Sequence, residues 1–266
     1  MPDRKYTQQT VISVKKWLSE KLLSITTTRD PAFTFKAGQF ARLGLPDTSQ
    51  ADGVPSIWRA YSMVNAPGDD TLEFYSIVVP EGEFSPRFAQ LRPNDPIYID
   101  KTAFGFLTVD RFEPNGHLWL LATGTGLSAY LSMLQDSNTW SSFDRIILVH
   151  GVRTTDELAY RDQLAQWAQT GLAESHAAGT PRARLTYLPI PTQESLPNTP
   201  QGRLTTLIAN GQLEQHAGCS LDPAQSKVML CGNPDMLTEA RKLLSDRGFA
   251  VGRRGNYGNL AVENYW

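Results

Sequence analysis

A chain of 266 residues, 41% hydrophobic and 20% charged, has the ordinary composition of a soluble globular protein, and its length favours two domains. Its 25 basic and 27 acidic residues give a formal net charge of −2, which excludes the broad basic footprint of a generic nucleic-acid binder. With only Cys219 and Cys231, it has neither a disulfide framework nor four thiolates to hold an iron–sulfur cluster. No apolar run approaches the roughly 20 residues that span a bilayer. The start, Met1-Pro2-Asp3-Arg4-Lys5-Tyr6, has no apolar segment behind its basic residues, so a secretory signal is not expected and a cytoplasmic location is.

The first part of the chain predicts β structure. Short β-branched or apolar runs at 10–14, 22–27 and 39–45 are punctuated by Pro31, Gly38, Pro46 and Gly53. Runs at 59–64 and 72–79 follow, separated by the turn formers Asn65-Ala66-Pro67-Gly68-Asp69-Asp70. One short helix is expected over 85–91, then a strand over 97–100. Many short strands at close spacing suggest a closed antiparallel barrel.

The pattern changes after Pro114-Asn115-Gly116. Strands are expected at 117–123, 145–151, 184–190 and 227–231, and helices at 127–134, 156–169, 203–210 and 234–246. Alternating strand and helix predicts a parallel, doubly wound α/β sheet. The expected division is therefore an N-terminal barrel over 1–112 and an α/β domain over 113–266. Residues 191–202, rich in Pro, Thr, Ser and Asn, predict a loop.

Gly124-Thr125-Gly126-Leu127-Ser128-Ala129 directly follows the strand Leu118-Trp119-Leu120-Leu121-Ala122. It fits the G-x-G-x-x-G/A pattern, in which glycines permit a tight turn and bring backbone N–H groups to a pyrophosphate at a helix N-terminus. A purely structural αβ turn uses similar residues. The end of the next strand reads Leu148-Val149-His150-Gly151-Val152-Arg153-Thr154, without the acidic residue that binds an NAD ribose. Arg153 suits a 2′-phosphate, as does Arg203 after Gly202, because a guanidinium grips phosphate bidentately. A solvated arginine at a loop start remains the alternative.

Arg59-Ala60-Tyr61-Ser62-Met63-Val64-Asn65 resembles the R-x-Y-S flavin signature of the ferredoxin–NADP reductase family. Further segments of that family follow in order. Phe74-Tyr75-Ser76-Ile77-Val78 and Gly82-Glu83-Phe84-Ser85-Pro86-Arg87 are similar to its second flavin segment. Ala122-Thr123-Gly124-Thr125-Gly126 is similar to its glycine turn, and Cys231-Gly232-Asn233-Pro234-Asp235-Met236 to its C-G-x-P-x-M element. The end, Glu263-Asn264-Tyr265-Trp266, resembles the bacterial branch, which uses ferredoxin or flavodoxin.

This resemblance implies non-covalent FAD, NADP(H), and an enzyme that passes electrons between NADP(H) and ferredoxin or flavodoxin. Toward FAD it places Arg59, Ala60, Tyr61, Ser62, Met63, Val64, Tyr75, Ser76, Ile77, Val78, Glu83, Phe84, Ser85, Thr123, Tyr265 and Trp266. Toward NADP(H) it places Gly124, Thr125, Gly126, Arg153, Thr154, Arg203, Gly232, Asn233, Asp235 and Met236. Around the reacting centre it sets Tyr61, Ser62, Cys231, Glu263 and Tyr265. Arg59 would face the FAD pyrophosphate, Tyr61 would lie flat on the flavin, and Ser62 would approach its N5. Tyr265 would cover the other flavin face and move aside for nicotinamide, with Trp266 on the adenine.

Other readings stay open for single residues. Cys231 is either a packing contact beside the hydride path or a small buried hydrophobe. Glu263 is a proton relay, a nicotinamide-orienting group or a solvated carboxylate; Arg253 and Arg254 meet phosphate or partner, or are surface charge. His150 is expected to be structural. One position departs from the bacterial pattern: Gln193 stands where a further phosphate-binding arginine is usual. Each such contact contributes on the order of 1.5–3 kcal/mol, so discrimination against NADH is in question. A carrier-docking patch is expected from Lys15, Lys16, Lys21, Lys36, Arg87 and Arg92, on a monomer. The competing functions are a flavoprotein module of an oxygenase and a non-catalytic flavin sensor.

Overall fold

A computed structural model describes residues 4–18, 20–46, 54–171, 183–253 and 257–264. The first half is a six-stranded antiparallel sheet of β1 (Tyr6–Leu18), β2 (Leu22–Thr28), β3 (Phe40–Pro46), β4 (Pro55–Ser62), β5 (Thr71–Ile77) and β6 (Pro96–Asp100), in the order β4-β3-β6-β1-β2-β5. Just beyond β4 the chain reaches the other edge of this sheet. Met63 bridges Phe74 of β5, and the Val64 N–H donates to the Glu73 carbonyl at 2.9 Å. This contact rolls the sheet into a barrel, around a core that includes Ile25, Leu43, Phe74, Phe88 and Ile97.

β1 extends well beyond the expected 10–14. Its first half pairs with β6, from Tyr6 opposite Asp100 to Thr10 opposite Pro96, and its second half with β2, the register shifting between Val11 and Ser13. Each half has a different neighbour, so no single alternation of apolar and polar residues runs along it. The helix expected over 85–91 is only α1 (Ser85–Phe88). Pro93 lies close downstream, and the residue before a proline is driven out of the helical region.

The second half is a parallel sheet of β7 (His117–Thr123), β8 (Arg145–Val152), β9 (Arg184–Pro191), β10 (Ser226–Cys231) and β11 (Leu260–Glu263), ordered β11-β10-β7-β8-β9. Successive β7 side chains point to opposite faces and both faces are covered. Leu118, Leu120 and Ala122 pack with Tyr130 and Leu134 of α2 (Leu127–Leu134) and Trp140 of α3 (Ser137–Ser142). On the other face, Trp119 and Leu121 pack with Leu207 of α5 (Leu204–Ala209), Leu213 of α6 (Gln212–Ala217), and Leu237 and Leu244 of α7 (Pro234–Asp246).

The long helix expected over 156–169 is broken. A 3₁₀ turn at Thr155–Glu157 is followed by Leu158, Ala159 and Tyr160, and only then by α4 (Arg161–Thr170). Tyr160 sits in the left-handed region with φ +59°, which interrupts the helical path. α3, α6 and β11 were not expected, being four to six residues long and without a full period of pattern. The halves share a core: Leu22, Val64 and Tyr75 of the barrel join the cluster containing Leu127, Tyr130 and Leu131. No helix among the described residues is long and apolar enough to cross a membrane.

Candidate functional site

Two cavities open along the seam between the halves, sharing Ile77 and Thr125 in their walls. The first, about 400 Å³, lies over β4 and β5. Arg59, Ala60, Tyr61 and Ser62 form one wall; Tyr75, Ser76 and Ile77 form another; Glu83, Phe84 and Ser85 close one end, and Thr125, Gly126 and Gly232 the other. The Tyr61 ring is stacked on Phe88, 5.2 Å between centroids and 18° between planes, and leans on Phe84 at 5.6 Å. Its hydroxyl accepts from Ser76 Oγ at 3.2 Å. Burial raises the Tyr61 pKa, only partly offset by that hydrogen bond and by Arg59, so the phenol is neutral. The ring is thus held from behind as a rigid apolar plate.

Polar features of this cavity fit a flavin nucleotide. The Tyr75 ring walls this cavity, while its hydroxyl is buried near Glu157 and Tyr187 of the other half, without a hydrogen-bond partner among the described residues. Arg59 is half-exposed at the cavity rim. Its guanidinium donates to the Trp58 carbonyl at 2.8 Å and lies 4.0 Å from the Glu83 carboxylate, leaving donors for an anion. Ser85 Oγ accepts the Val79 N–H at 2.9 Å and so fixes the loop ahead of α1. Met63 and Val64 are buried in the hydrophobic cores, Val78 packs against the barrel core, and none of the three lines the cavity.

The second cavity, about 530 Å³, lies at the C-terminal ends of β7, β8 and β10. Open α/β sheets bind ligands at this edge, where the strand order reverses direction. Thr123, Gly124 and Thr125 form its floor, Arg153, Gln193 and Arg203 one side, and Asn233, Asp235 and Met236 the other. The glycine turn is a 3₁₀ turn, Gly124–Gly126, feeding directly into α2. A Cβ on Gly126 would lie 2.5 Å from the Cys231 carbonyl oxygen, and one on Gly232 (φ +134°) 2.2 Å from Thr123 Oγ1. Both glycines let the ends of β7 and β10 meet at a spacing no side chain permits. His150, fully buried, supports the same turn. Burial pushes its pKa down to about 4, so the ring is neutral and its Nε2–H donates to the Gly124 carbonyl at 3.0 Å.

Arg153 and Arg203 are exposed on the cleft side, and neither guanidinium has an ion-pair partner among the described residues. Gln193 joins them, its N–H donating to the Arg153 carbonyl at 2.8 Å. Thr154 precedes the 3₁₀ turn and does not line the cleft. The Asn233 side-chain oxygen is engaged as the cap of α7, accepting from the N–H groups of Asp235 and Met236 at 2.9 and 3.2 Å. Glu194 puts negative charge nearby: Thr155 donates its N–H and hydroxyl to the carboxylate at 2.7 and 2.6 Å, and these bonds lower its pKa.

Cys231 is fully buried at the end of β10, between Ala122 of β7 and Glu263 of β11, and lines neither cavity. Glu263 Oε1 accepts the Phe106 N–H at 3.0 Å, tying β11 to the barrel. Arg253 is exposed. Tyr265, Trp266 and Arg254 lie outside the described residues.

Of the six cations expected to form a docking patch, three are ion-paired, while Lys15 lies over the Trp17 ring and Arg87 keeps its charge against a neutral carbonyl. Lys16 pairs with Glu20, Lys21 with Glu157 and Lys36 with Asp110, and Arg87 donates to the Pro46 carbonyl. Lys21 belongs instead to the second cavity, together with Glu157. No sequence signal links these two, since the pairing depends on how the barrel hairpin meets the α/β half.

An antiparallel barrel joined to a parallel nucleotide-type sheet, with adjoining cavities along the seam, defines a two-site oxidoreductase architecture. A family model for the oxidoreductase NAD-binding domain matches residues 120–242. The chain is 38% identical over 260 residues to ferredoxin–NADP reductase A of Sorangium cellulosum, covering 97% of this chain and 89% of that one. It is 35% identical over 257 residues to the flavodoxin/ferredoxin–NADP reductase of Escherichia coli, covering 96% and 97%. The crystal structure of a ferredoxin NADP+ reductase from Neisseria gonorrhoeae with bound FAD and NADP superposes with a TM-score of 0.89 at 32% identity, over 99% of this chain and all of that one. The chain belongs to the ferredoxin–NADP reductase family.

Proposed function

We propose that this chain is an FAD-dependent enzyme that passes electrons between NADP(H) and ferredoxin or flavodoxin. The observation that carries the reading is the pair of adjoining cavities, one backed by the stacked Tyr61 plate and the other built on a glycine turn flanked by Arg153 and Arg203. Bound FAD supplies the chemistry that joins a two-electron hydride donor to a one-electron carrier.

The protein's own groups bind, orient and exclude water. Tyr61 supports the flavin ring, Ser62 and Ser76 offer hydroxyls along its edge, and Arg59 offsets the pyrophosphate charge. Met63, Val64 and Val78 act from the core, by holding β4 and the end of β5 in register. Thr123, Gly124, Thr125 and Gly126 present backbone at the nicotinamide nucleotide, with Asp235 and Met236 along its opposite wall. Arg153 and Arg203 hold the 2′-phosphate. Asn233 acts indirectly, by capping α7, while Gly232 lets the two strand ends close up. Cys231 is a packing group beside the hydride path, and Glu263 holds the loop at Phe106 against β11. The family resemblance assigns Tyr265 to the flavin face opposite Tyr61 and Trp266 to the adenine; both lie outside the described residues. In this reading the FAD half spans 1–112 and the NADP(H) half 113–266, and the protein is a cytoplasmic monomer.

Anaerobic stopped-flow mixing of the flavin-loaded protein with NADPH and, separately, NADH tests this reading. Rapid bleaching by NADPH, with measurably slower bleaching by NADH, is the expected result. A bound flavin that neither nucleotide reduces would sink it and leave a sensor.

A further inference from the structure

Tyr160 is the residue that least obeys its local sequence. A tyrosine opening a helix has no intrinsic reason to adopt φ +59°, ψ +10°, and such a conformation persists only when surrounding contacts over-determine it. Here contacts from Trp17, Ser24, Glu73 and Tyr75 of the barrel half do so. Its ring lies 4.3 Å from Trp17 and meets Tyr75 edge-to-face at 5.4 Å, and its hydroxyl donates to Glu73 Oε1 at 2.7 Å. Tyr160 is buried and Glu73 partly so, which shields the hydrogen bond from water on the tyrosine side. Burial, then the neighbouring Glu73, raises the phenol's pKa and keeps the donor proton in place.

Tyr75 walls the first cavity. The Glu73 backbone closes the barrel, accepting from Val64 N–H at 2.9 Å and donating its own N–H to Asn65 Oδ1 at 2.9 Å. Three residues before Tyr160, Glu157 pairs with Lys21 of the barrel and accepts the Arg153 N–H at 2.9 Å. Residues 153–160 therefore run from an arginine of the nucleotide cleft to the wall of the flavin cavity, gripping the barrel at both Glu157 and Tyr160.

We propose that Tyr160 is a positioning residue for hydride transfer: its hydrogen bond to Glu73 sets the offset between the nucleotide cleft and the flavin cavity. The inference rests on the functional reading above. A phenylalanine would fill the same space between Trp17 and Tyr75, so packing alone does not call for the hydroxyl. A partly buried phenol–carboxylate bond adds direction, and transfer between two bound rings is sensitive to small displacements.

The test compares Tyr160→Phe, Glu73→Leu and Glu73→Gln with the wild-type holoprotein. Glu73→Leu breaks the same bond from the other side, so the question survives if one variant fails to fold. Glu73→Gln keeps an acceptor for the phenol. The first readout is hydrogen–deuterium exchange over residues 153–160 without nucleotide; the second is the limiting rate of flavin bleaching at saturating NADPH, with NADPH affinity and FAD content measured alongside. Faster exchange in Tyr160→Phe and Glu73→Leu is expected, with the limiting rate down about tenfold, affinity and FAD content retained, and Glu73→Gln close to wild type. Unchanged exchange, or an unchanged limiting rate in the two bond-breaking variants, overturns the proposal. Rate losses that merely follow loss of FAD or NADPH affinity overturn it as well. If wild-type flavin is not bleached at all, the functional reading fails, while the exchange measurement still decides whether the hydrogen bond holds the two halves in place.

Discussion

The two cavities are built in opposite ways. The flavin cavity is walled by side chains from two neighbouring strands, β4 and β5, backed by the aromatic core of the barrel. The nucleotide cleft is assembled from backbone at the ends of β7, β8 and β10, together with exposed arginines reaching in from two separate loops. A site backed by packed side chains gains rigidity and responds steeply to changes in shape. One made of backbone and exposed charge depends on strand ends meeting correctly, and its charged part is weakened by salt. Damage to the first should therefore appear as lost cofactor, and damage to the second as altered nucleotide selectivity.

Gly232 is where this division breaks down, because it walls the first cavity and also allows β10 to approach Thr123 at the floor of the second. Gly232→Ala should have the largest effect. The new Cβ would meet the Thr123 carbonyl oxygen at 2.6 Å as well as its hydroxyl, at a φ that side chains rarely adopt. A loss of about 3 kcal/mol in stability by urea unfolding is expected, with NADPH-driven bleaching abolished. Wild-type stability and rate would show that the two strand ends can separate without cost, and that the cavities are independent after all.

Tyr61 tests the side-chain-walled half alone. Tyr61→Ala should weaken FAD binding on the order of tenfold, measured by equilibrium dialysis, through loss of the plate supported by Phe88 and Phe84. Tyr61→Phe removes only the hydrogen bond from Ser76 and should retain FAD. Equal losses in the two variants would mean that the hydroxyl, not the ring face, holds the cofactor.

The same contrast explains what was legible in the sequence. Helices α2 and α7 were predicted at their observed bounds, because Leu127–Leu134 is continuously buried and Pro234–Asp246 opens with an Asn-Pro cap and has a clear apolar face. Flavin-cavity residues lie together on β4 and β5, so Arg59 to Ser62 and Tyr75 to Ile77 stand out as short strings. Lys21 and Glu157, in contrast, come together only when the halves dock, 136 residues apart in sequence. Tyr160 was hidden for the same reason: its local sequence continues a helix, and contacts from Trp17, Tyr75 and Glu73 override it. Asn233 lines the nucleotide cleft, and its side-chain oxygen also caps α7, a structural task the motif does not announce.

Gln193 gives the finest test of the charge-built half. Its backbone is anchored to Arg153, so its side chain enters a cleft already holding Arg153 and Arg203, with the Glu194 carboxylate fixed next door by Thr155. Gln193→Arg adds a third guanidinium without changing the fold of the loop, because the N–H to Arg153 carbonyl bond is backbone. The gain is limited twice over: the site is exposed and screened, and Glu194 competes for the new guanidinium. An increase of about threefold to tenfold in the NADPH-over-NADH ratio of kcat/KM is expected, smaller at high salt, with FAD affinity untouched. If the ratio did not move at low salt, the 2′-phosphate would have to be sought on the Arg203 side of the cleft, away from Gln193. A fall in the ratio would mean that the added charge captures Glu194 and distorts the Thr155 turn, making Glu194 rather than Gln193 the residue that tunes selectivity.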